Sequence, residues 1–329
     1  MKVLGHLTVQ PRLPERIGRL DELAYDLYWT WKPEARRLFR ELHRDAWERS
    51  NHDPVVVLRE VDQERLDAVA RDPDYLAVYD DVIARWDAYR WPSPDDPARL
   101  GPLMEQARAV DRRERALSVS HRSTLFERAW LLVGMENLLM LMAAEPDRAD
   151  WVFDHIIAFQ LGMARHYLAL RPDLVALGDD VGTQRAPLIS PAHYRRYIQP
   201  RYARLIALYR DAGVLITYHT CGHIMPLVAD FLALGIDVLN PVQARANGDL
   251  VALRRQTQGR MALHGAVDTQ YTLTLGSPGE VRAEVRERIR TLGAEGGYIC
   301  APDQDIPMPP ENVWAFDGAV AEYGRYPAS

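Results

Sequence analysis

Six short apolar runs, separated by longer helical stretches, occupy the chain from residue 115 onwards. The runs are rich in β-branched or small residues, whereas the stretches between them space their apolar side chains at helical period. The predicted strands are residues 115–120, 174–179, 213–219, 236–241, 260–266 and 296–302. Strand followed by helix, repeated along the chain, indicates right-handed βαβ units and therefore a parallel sheet.

A serial set of six such units favours a barrel of the (β/α)8 type over an open doubly wound sheet. An open sheet would usually carry a glycine-rich phosphate loop after its first strand, and neither G-x-G-x-x-G nor G-x-x-x-x-G-K-[ST] occurs. A closed barrel needs about eight strands. The predicted fold is therefore an α/β barrel-type domain that lacks its first two strands, preceded by a small all-α module.

The all-α module is predicted from residues 12–90, which read as successive amphipathic helices. The segment "WPSPDDPARLGP" then brings four prolines and few apolar residues, which is typical of a linker. We predict two domains, residues 1–92 and residues 93–329. Tyr25, Tyr28, Trp29 and Trp31 lie at helical spacing, which favours a packed core over the alternative of a sugar-stacking surface.

Charge and cysteine content argue against several classes of protein. The net charge is -6 and no long basic run occurs, which argues against nucleic acid or an anionic membrane as the partner. Two cysteines in 329 residues argue against a disulfide scaffold. The longest apolar stretch contains Glu136 and Asn137 and is too short to span a bilayer, and the first residues lack a signal-peptide core. We expect a soluble, cytoplasmic protein.

Polar side chains cluster just after the predicted strands, where barrel enzymes build their active sites. As substrate-binding candidates we take Gln184, Asn240, Gln243, Asp303 and Gln304; as catalytic candidates Asp179, Asp180, His264 and Asp268; as metal ligands His219, Cys221 and Cys300.

His219 and Cys221 are spaced i, i+2, so on an extended chain both side chains point to the same face. Imidazole together with thiolate favours Zn²⁺ over Mg²⁺ or Ca²⁺. A third ligand must come from another strand, and Cys300, His264 or an aspartate could supply it. The alternative is a buried structural histidine beside an inert buried thiol.

Two further pairs could carry acid–base chemistry. Of the adjacent Asp179 and Asp180, only one is expected to point into a site, as a base, a metal ligand or a partner for a substrate cation; the alternative is a helix cap. His264 and Asp268 could form a second acid–base pair, or His264 could be a structural histidine.

From about residue 100 to 325 the sequence resembles the uroporphyrinogen decarboxylase superfamily. The matching segments include "GDDVGTQRAPLISPAHYRRYIQPRY", "HTCGHIMPLVADFLALGIDVLNPVQ" and "GGYICAPDQDIPMPPENV". The resemblance implies a barrel enzyme. It would be either the decarboxylase of haem synthesis or a zinc-dependent methyltransferase that moves methyl groups between corrinoids and thiols.

For the methyltransferases the resemblance implies a zinc site made of a His-x-Cys motif and a distal Cys. His219 and Cys221 match the motif, whereas Gln304 stands where the distal Cys belongs. The leading hypothesis is therefore methyl transfer from a corrinoid to a zinc-activated thiol, with Cys300, His264 or an aspartate completing the site. A corrinoid protein as partner and a homodimer are the associated expectations.

Two alternatives stay open. One is cofactor-free decarboxylation of uroporphyrinogen, although the arginines and the aspartate that the resemblance implies fall in the missing strands. The other follows from residues 11–90, where "LPERIGRLDELAYDLYWTWKPEARRLF" resembles the helical module that opens bacterial α-glucan (glycogen) phosphorylases. It implies a non-catalytic fusion in which this module binds glucan or a partner.

Overall fold

A computed structural model describes residues 89–325 of the chain. The predicted helical module, with its aromatic cluster, therefore lies almost entirely outside the described residues. By their contacts the residues form two compact units. Residues 92–129 and 144–325 belong to the larger unit, and residues 89–91 and 130–143 are the described part of the smaller one.

The larger unit is built on a six-stranded parallel sheet. The strands are β1 (Ser118–His121), β2 (Leu174–Gly178), β3 (Leu215–His219), β4 (Val238–Val242), β5 (Ala262–Val267) and β6 (Tyr298–Pro302). Their order in the sheet is their order in the chain, and every neighbouring pair is parallel. The predicted parallel α/β fold is confirmed. Within residues 89–325, β1 and β6 each pair with one strand and form the edges of the sheet.

Each strand begins at the predicted residue or two to three residues after it. Residues just before two of the strands form a turn or a side-chain hydrogen bond instead. Gly213, after the helix that precedes β3, has φ +72°, and the Asp237 carboxylate accepts a hydrogen bond from the Ile216 N–H at 2.7 Å. The apolar runs in the sequence therefore start earlier than the hydrogen-bonded strands do.

Helices lie before, between and after the strands. They are α1 (Pro97–Arg108), α2 (Phe126–Val133), α3 (Met135–Ala144), α4 (Pro146–Ala169), α5 (Gln199–Asp211), α6 (Val228–Leu234), α7 (Ala244–Asn247), α8 (Leu250–Thr257), α9 (Thr272–Leu275), α10 (Pro278–Leu292) and α11 (Pro310–Tyr323). A helical turn (Pro191–His193) and a π-helical turn (Tyr194–Ile198) lead into α5, and a 3₁₀ turn (Met225–Leu227) leads into α6. Across residues 89–325, no helix combines the length and the apolar character needed to cross a membrane.

Strand β3 shows how the core is distributed over the two faces of the sheet. Successive side chains of a strand point to opposite faces. Tyr218 is fully buried, and its ring packs at 5.3 Å from that of Tyr202 on α5 and at 5.1 Å from that of Phe231 on α6. On the opposite face Leu215 remains 56% exposed, and His219 is exposed as well. The helices thus cover one face of β3, and the other, which carries His219, is open.

Candidate metal centre

A tight turn after β3 brings the Cys221 side chain back towards the end of its own strand. Gly222 has φ +84°, and a Cβ at this position would collide with the carbonyl carbon of Gly182 in the loop after β2. Only glycine fits such an approach of two backbones. The result is a separation of 3.5 Å between Cys221 Sγ and His219 Nε2. Gly182 and Gly222 were not among the predicted site residues, although glycines shortly after two neighbouring strands were a visible signal.

Asp180, which follows β2, joins these two side chains. Its Oδ1 lies 3.7 Å from His219 Nε2 and accepts a hydrogen bond from the Cys221 N–H at 2.9 Å. One ligand atom from each of the three residues lies within 4.8 Å of the others. An aspartate was one of the three possible third ligands, and the structure brings Asp180 to this position.

The donor set suits a zinc ion. Tetrahedral Zn²⁺ with bonds of about 2.3 Å to sulfur and about 2.0–2.1 Å to nitrogen or oxygen would separate its ligand atoms by roughly 3.5 Å. The distances of 3.5 Å and 3.7 Å from His219 Nε2 match this spacing. Burial, followed by the negative charge of Asp180, raises the pKa of the Cys221 thiol. A bound cation would reverse this effect, because it stabilises the thiolate.

Gln304, from the loop after β6, donates a hydrogen bond from Nε2 to Cys221 Sγ at 3.0 Å. This contact lowers the pKa of the thiol and so opposes the effect of burial. Cys300 lies elsewhere, because its half-buried side chain packs against a core cluster that includes Val267, Leu273 and Val285. The structure therefore does not bring Cys300 to the other two predicted metal ligands.

Asn240 and His264 continue the site across the next two strands. Asn240 Oδ1 lies 3.0 Å from His219 Nδ1, and Asn240 Nδ2 lies 2.9 Å from His264 Nδ1. Burial, followed by the neighbouring His219, lowers the pKa of His264. Asp180, His219, Asn240 and His264, which lie in or just after four adjacent strands, thus form one continuous row of polar side chains.

Asp179 lies away from the open face and is fully buried. Its carboxylate accepts hydrogen bonds from the N–H groups of Leu125, Phe126 and Glu127 at 2.8–3.1 Å, and from the Tyr202 hydroxyl at 2.6 Å. Burial raises the pKa of this carboxyl to about 6, although these donors lower it. Asp179 therefore caps helix α2, and of the aspartate pair only Asp180 lies at the site.

Asp268 and Asp303 are also buried, and each is held by a residue of another segment. Asp268 pairs with Arg245 at 2.6 Å, and Asp303 accepts a hydrogen bond from the Thr269 hydroxyl at 2.5 Å. Burial raises the pKa of Asp303. The contacts described for both residues hold the loops that carry the site together.

The two remaining predicted residues also contact neighbouring loops. Gln243 is buried, and its Oε1 accepts a hydrogen bond from the Gly222 N–H. Gln184 is exposed and accepts a hydrogen bond from the Gln270 side chain at 3.0 Å. Gln243 therefore supports the turn that positions Cys221, and Gln184 lies on the surface.

Two family models match the chain. The model described as uroporphyrinogen decarboxylase (URO-D) matches residues 77–323, and the model described as a protein of unknown function (DUF3417) matches residues 13–94.

Individual relatives also fall into two groups, phosphorylases and a uroporphyrinogen decarboxylase. A glycogen phosphorylase of Mycobacterium tuberculosis is 38% identical over 89 residues, which is 27% of this chain and 10% of the phosphorylase. A uroporphyrinogen decarboxylase of Thermus thermophilus is 32% identical over 133 residues, which is 38% of this chain and 35% of that protein. The chain thus spans about a tenth of the phosphorylase and about a third of the decarboxylase.

Among solved structures, a methyltransferase from Methanosarcina mazei superposes with a TM-score of 0.51 and 22% identity. The match covers 60% of this chain and 56% of that protein. At this identity the likeness shows a common fold and nothing finer.

Proposed function

The chain belongs to the uroporphyrinogen decarboxylase family, and from this premise we propose that it is an enzyme whose Asp180, His219 and Cys221 bind Zn²⁺ and which transfers a methyl group from a corrinoid to a thiol. The observation that carries the proposal is the convergence of three chemically suitable donor atoms, from the ends of two strands, within 4.8 Å. In this proposal Asp180 supplies the third ligand, because Gln304 occupies the position of the expected distal cysteine.

The surroundings of this group allow a substrate to reach it. The His219 side chain is 49% exposed and the Asp180 side chain 31% exposed, so both face solvent at the open side of the sheet. Three protein ligands would leave a coordination position for a substrate thiol. Zn²⁺ would lower the pKa of a substrate thiol bound at this position, so that the thiol is present as the nucleophilic thiolate at neutral pH.

The chain's own residues would hold the donor set and balance its charge. Gln304 donates a hydrogen bond to Cys221 Sγ, which favours the anionic form of this ligand. The corrinoid would supply the methyl group as the electrophile and keep the electron pair of the bond it gives up, and the thiolate sulfur would supply the electron pair of the new carbon–sulfur bond. The thiol proton leaves to solvent before the transfer.

Decarboxylation of uroporphyrinogen is the second candidate, and the similarity to the Thermus thermophilus decarboxylase favours it. Such a substrate carries several carboxylates and calls for cationic partners such as arginine. Within residues 89–325 the side chains linked to the candidate centre are Asp180, His219, Cys221, Asn240, His264 and Gln304. None of these is an arginine or a lysine, which makes methyl transfer the better supported function.

One paired assay separates the two candidates. The zinc-loaded full chain is incubated with methylcobalamin and a small thiol, and the thioether is measured by mass spectrometry; a parallel sample receives uroporphyrinogen. We expect thioether formation, a loss of at least about 100-fold in Cys221→Ser, and near wild-type rates in Cys300→Ala, whose side chain packs in the core cluster. Less-carboxylated porphyrins without any thioether, at equal rates in wild type and Cys221→Ser, would reject methyl transfer in favour of decarboxylation.

A further inference from the structure

A single amide lies between the two imidazoles of the open face. The register of the sheet sets His219 of β3 beside Asn240 of β4, and it aligns Leu239 with Leu263, which brings His264 of β5 to the other side of Asn240. The Asn240 side chain contacts both rings through their Nδ1 atoms, at 3.0 Å from His219 and at 2.9 Å from His264.

The two contacts require the proton on different nitrogens of the two rings. A carboxamide oxygen only accepts a hydrogen bond, whereas its NH₂ group only donates. His219 Nδ1 faces the oxygen, so it must carry the proton, and the lone pair then lies on Nε2, the atom that faces Cys221 and Asp180. His264 Nδ1 faces the NH₂ group, so it must accept, and its proton lies on Nε2.

We propose that Asn240 is a positioning residue that sets opposite tautomers in the two histidines, so that His219 offers a lone pair and His264 offers an N–H. His264 then binds an oxygen acceptor of the substrate, such as a carboxylate or a carbonyl, and is neither the site's base nor a metal ligand. The tautomers themselves are a property of the metal-free chain. Only the use of the His219 lone pair for Zn²⁺ rests on the proposed function.

The proposal is open to a direct measurement in the metal-free full chain. Long-range ¹H–¹⁵N correlation spectra of ¹⁵N-histidine-labelled protein at pH 9 show which ring nitrogen carries the proton, and His219→Gln and His264→Gln identify the two signals. We expect Nδ1–H at His219 and Nε2–H at His264. Any other tautomer at either ring overturns the proposal, because a reversed amide would put the proton of His219 on the atom that faces Cys221.

Asn240→Asp tests whether the amide causes the asymmetry. A carboxylate accepts from both rings, so the proton of His264 is expected to move to Nδ1 while His219 keeps its tautomer. Gln199→Glu at the start of α5 makes the same amide-to-carboxylate change outside this network and is expected to change neither signal. An unchanged His264 signal in Asn240→Asp overturns the proposal.

A metal titration tests the positioning role separately. Loss of a hydrogen-bond partner behind a metal-binding histidine typically weakens binding by about 10–100-fold. We expect a loss of that size in the affinity of Asn240→Leu for Zn²⁺, with the fold checked by circular dichroism. An affinity within about twofold of wild type in a folded Asn240→Leu protein overturns the positioning role. Failure of the wild-type chain to bind Zn²⁺ would instead reject the proposed function and leave the tautomer result standing.

Discussion

His121, at the end of β1, shows how burial dominates the chemistry of a single residue. Only 3% of the residue is exposed, and its ring nitrogens contact Gln160 Oε1 at 2.7 Å and the Tyr209 hydroxyl at 2.5 Å. Burial lowers the pKa of His121 to about 4, and the hydrogen bond that His121 donates to Gln160 Oε1 opposes this only in part. His121 is therefore a neutral core histidine rather than part of the metal centre.

The lowered pKa predicts a loss of stability in acid. The unfolded chain binds a proton at His121 near pH 6.5, whereas the folded chain does so only near pH 4, so the free energy of unfolding falls as the pH drops through this window. The shift corresponds to about 3 kcal/mol. Urea unfolding between pH 7 and pH 4 measures it, and His121→Gln should show a correspondingly flatter profile. Identical pH profiles in the two proteins would contradict the assignment.

At the scale of single residues, the sequence predicted the pairing of His219 with Cys221 because it depends on neighbours in the chain. Which of Asp179 and Asp180 lies at the site could not be predicted from neighbours in the chain. It depends on where β2 stops, since Gly178 ends the strand and the following residues turn one carboxylate under α2 and the other towards Cys221.

Helix α2 depends on Asp179 for its N-terminus. The first N–H groups of a helix have no partners within the helix, and here a buried carboxylate supplies them. The buried Tyr202 hydroxyl also donates a hydrogen bond to this carboxylate. One side chain thus connects β2, α2 and α5.

Asp179→Ala should therefore cost far more stability than the same change next to it. Loss of the cap and of the Tyr202 acceptor is expected to lower the free energy of unfolding by about 2–4 kcal/mol. Asp180→Ala serves as the matched control and should cost less than about 1 kcal/mol, because Asp180 is partly exposed. Chemical denaturation of the full chain measures both. Equal losses in the two variants would mean that α2 does not rely on this cap.

The helices and strands could be predicted from the sequence more reliably than the side of the sheet on which a given side chain lies. The alternation of apolar runs and helices was enough for six parallel strands in chain order, because right-handed crossovers leave few other topologies. The side of β6 on which Cys300 lies was not predictable, since a shift of one residue in a strand exchanges its two faces. Packing against the core cluster that includes Val267, Leu273 and Val285 decides it, and these residues come from other elements.

Over the whole molecule, the candidate centre exists only because strand ends distant in sequence meet at one edge of the sheet. Asp180 and Gln304 follow β2 and β6, His219 ends β3, and Asn240 and His264 lie within β4 and β5. The parallel order of the strands places these five positions on successive neighbouring strands. The chain also joins two kinds of sequence: the uroporphyrinogen decarboxylase family match and a segment shared with glycogen phosphorylases.

X-ray absorption at the zinc edge of the zinc-loaded full chain tests the proposed metal centre most directly. We predict close to one zinc per chain, with one sulfur neighbour at about 2.3 Å and the other neighbours nitrogen or oxygen at about 2.0–2.2 Å. Cys221→Ser should remove the sulfur signal, whereas Cys300→Ala should keep it. Two sulfur neighbours per zinc, or fewer than about 0.5 zinc per chain after metal-replete purification, would contradict a centre built from Asp180, His219 and Cys221.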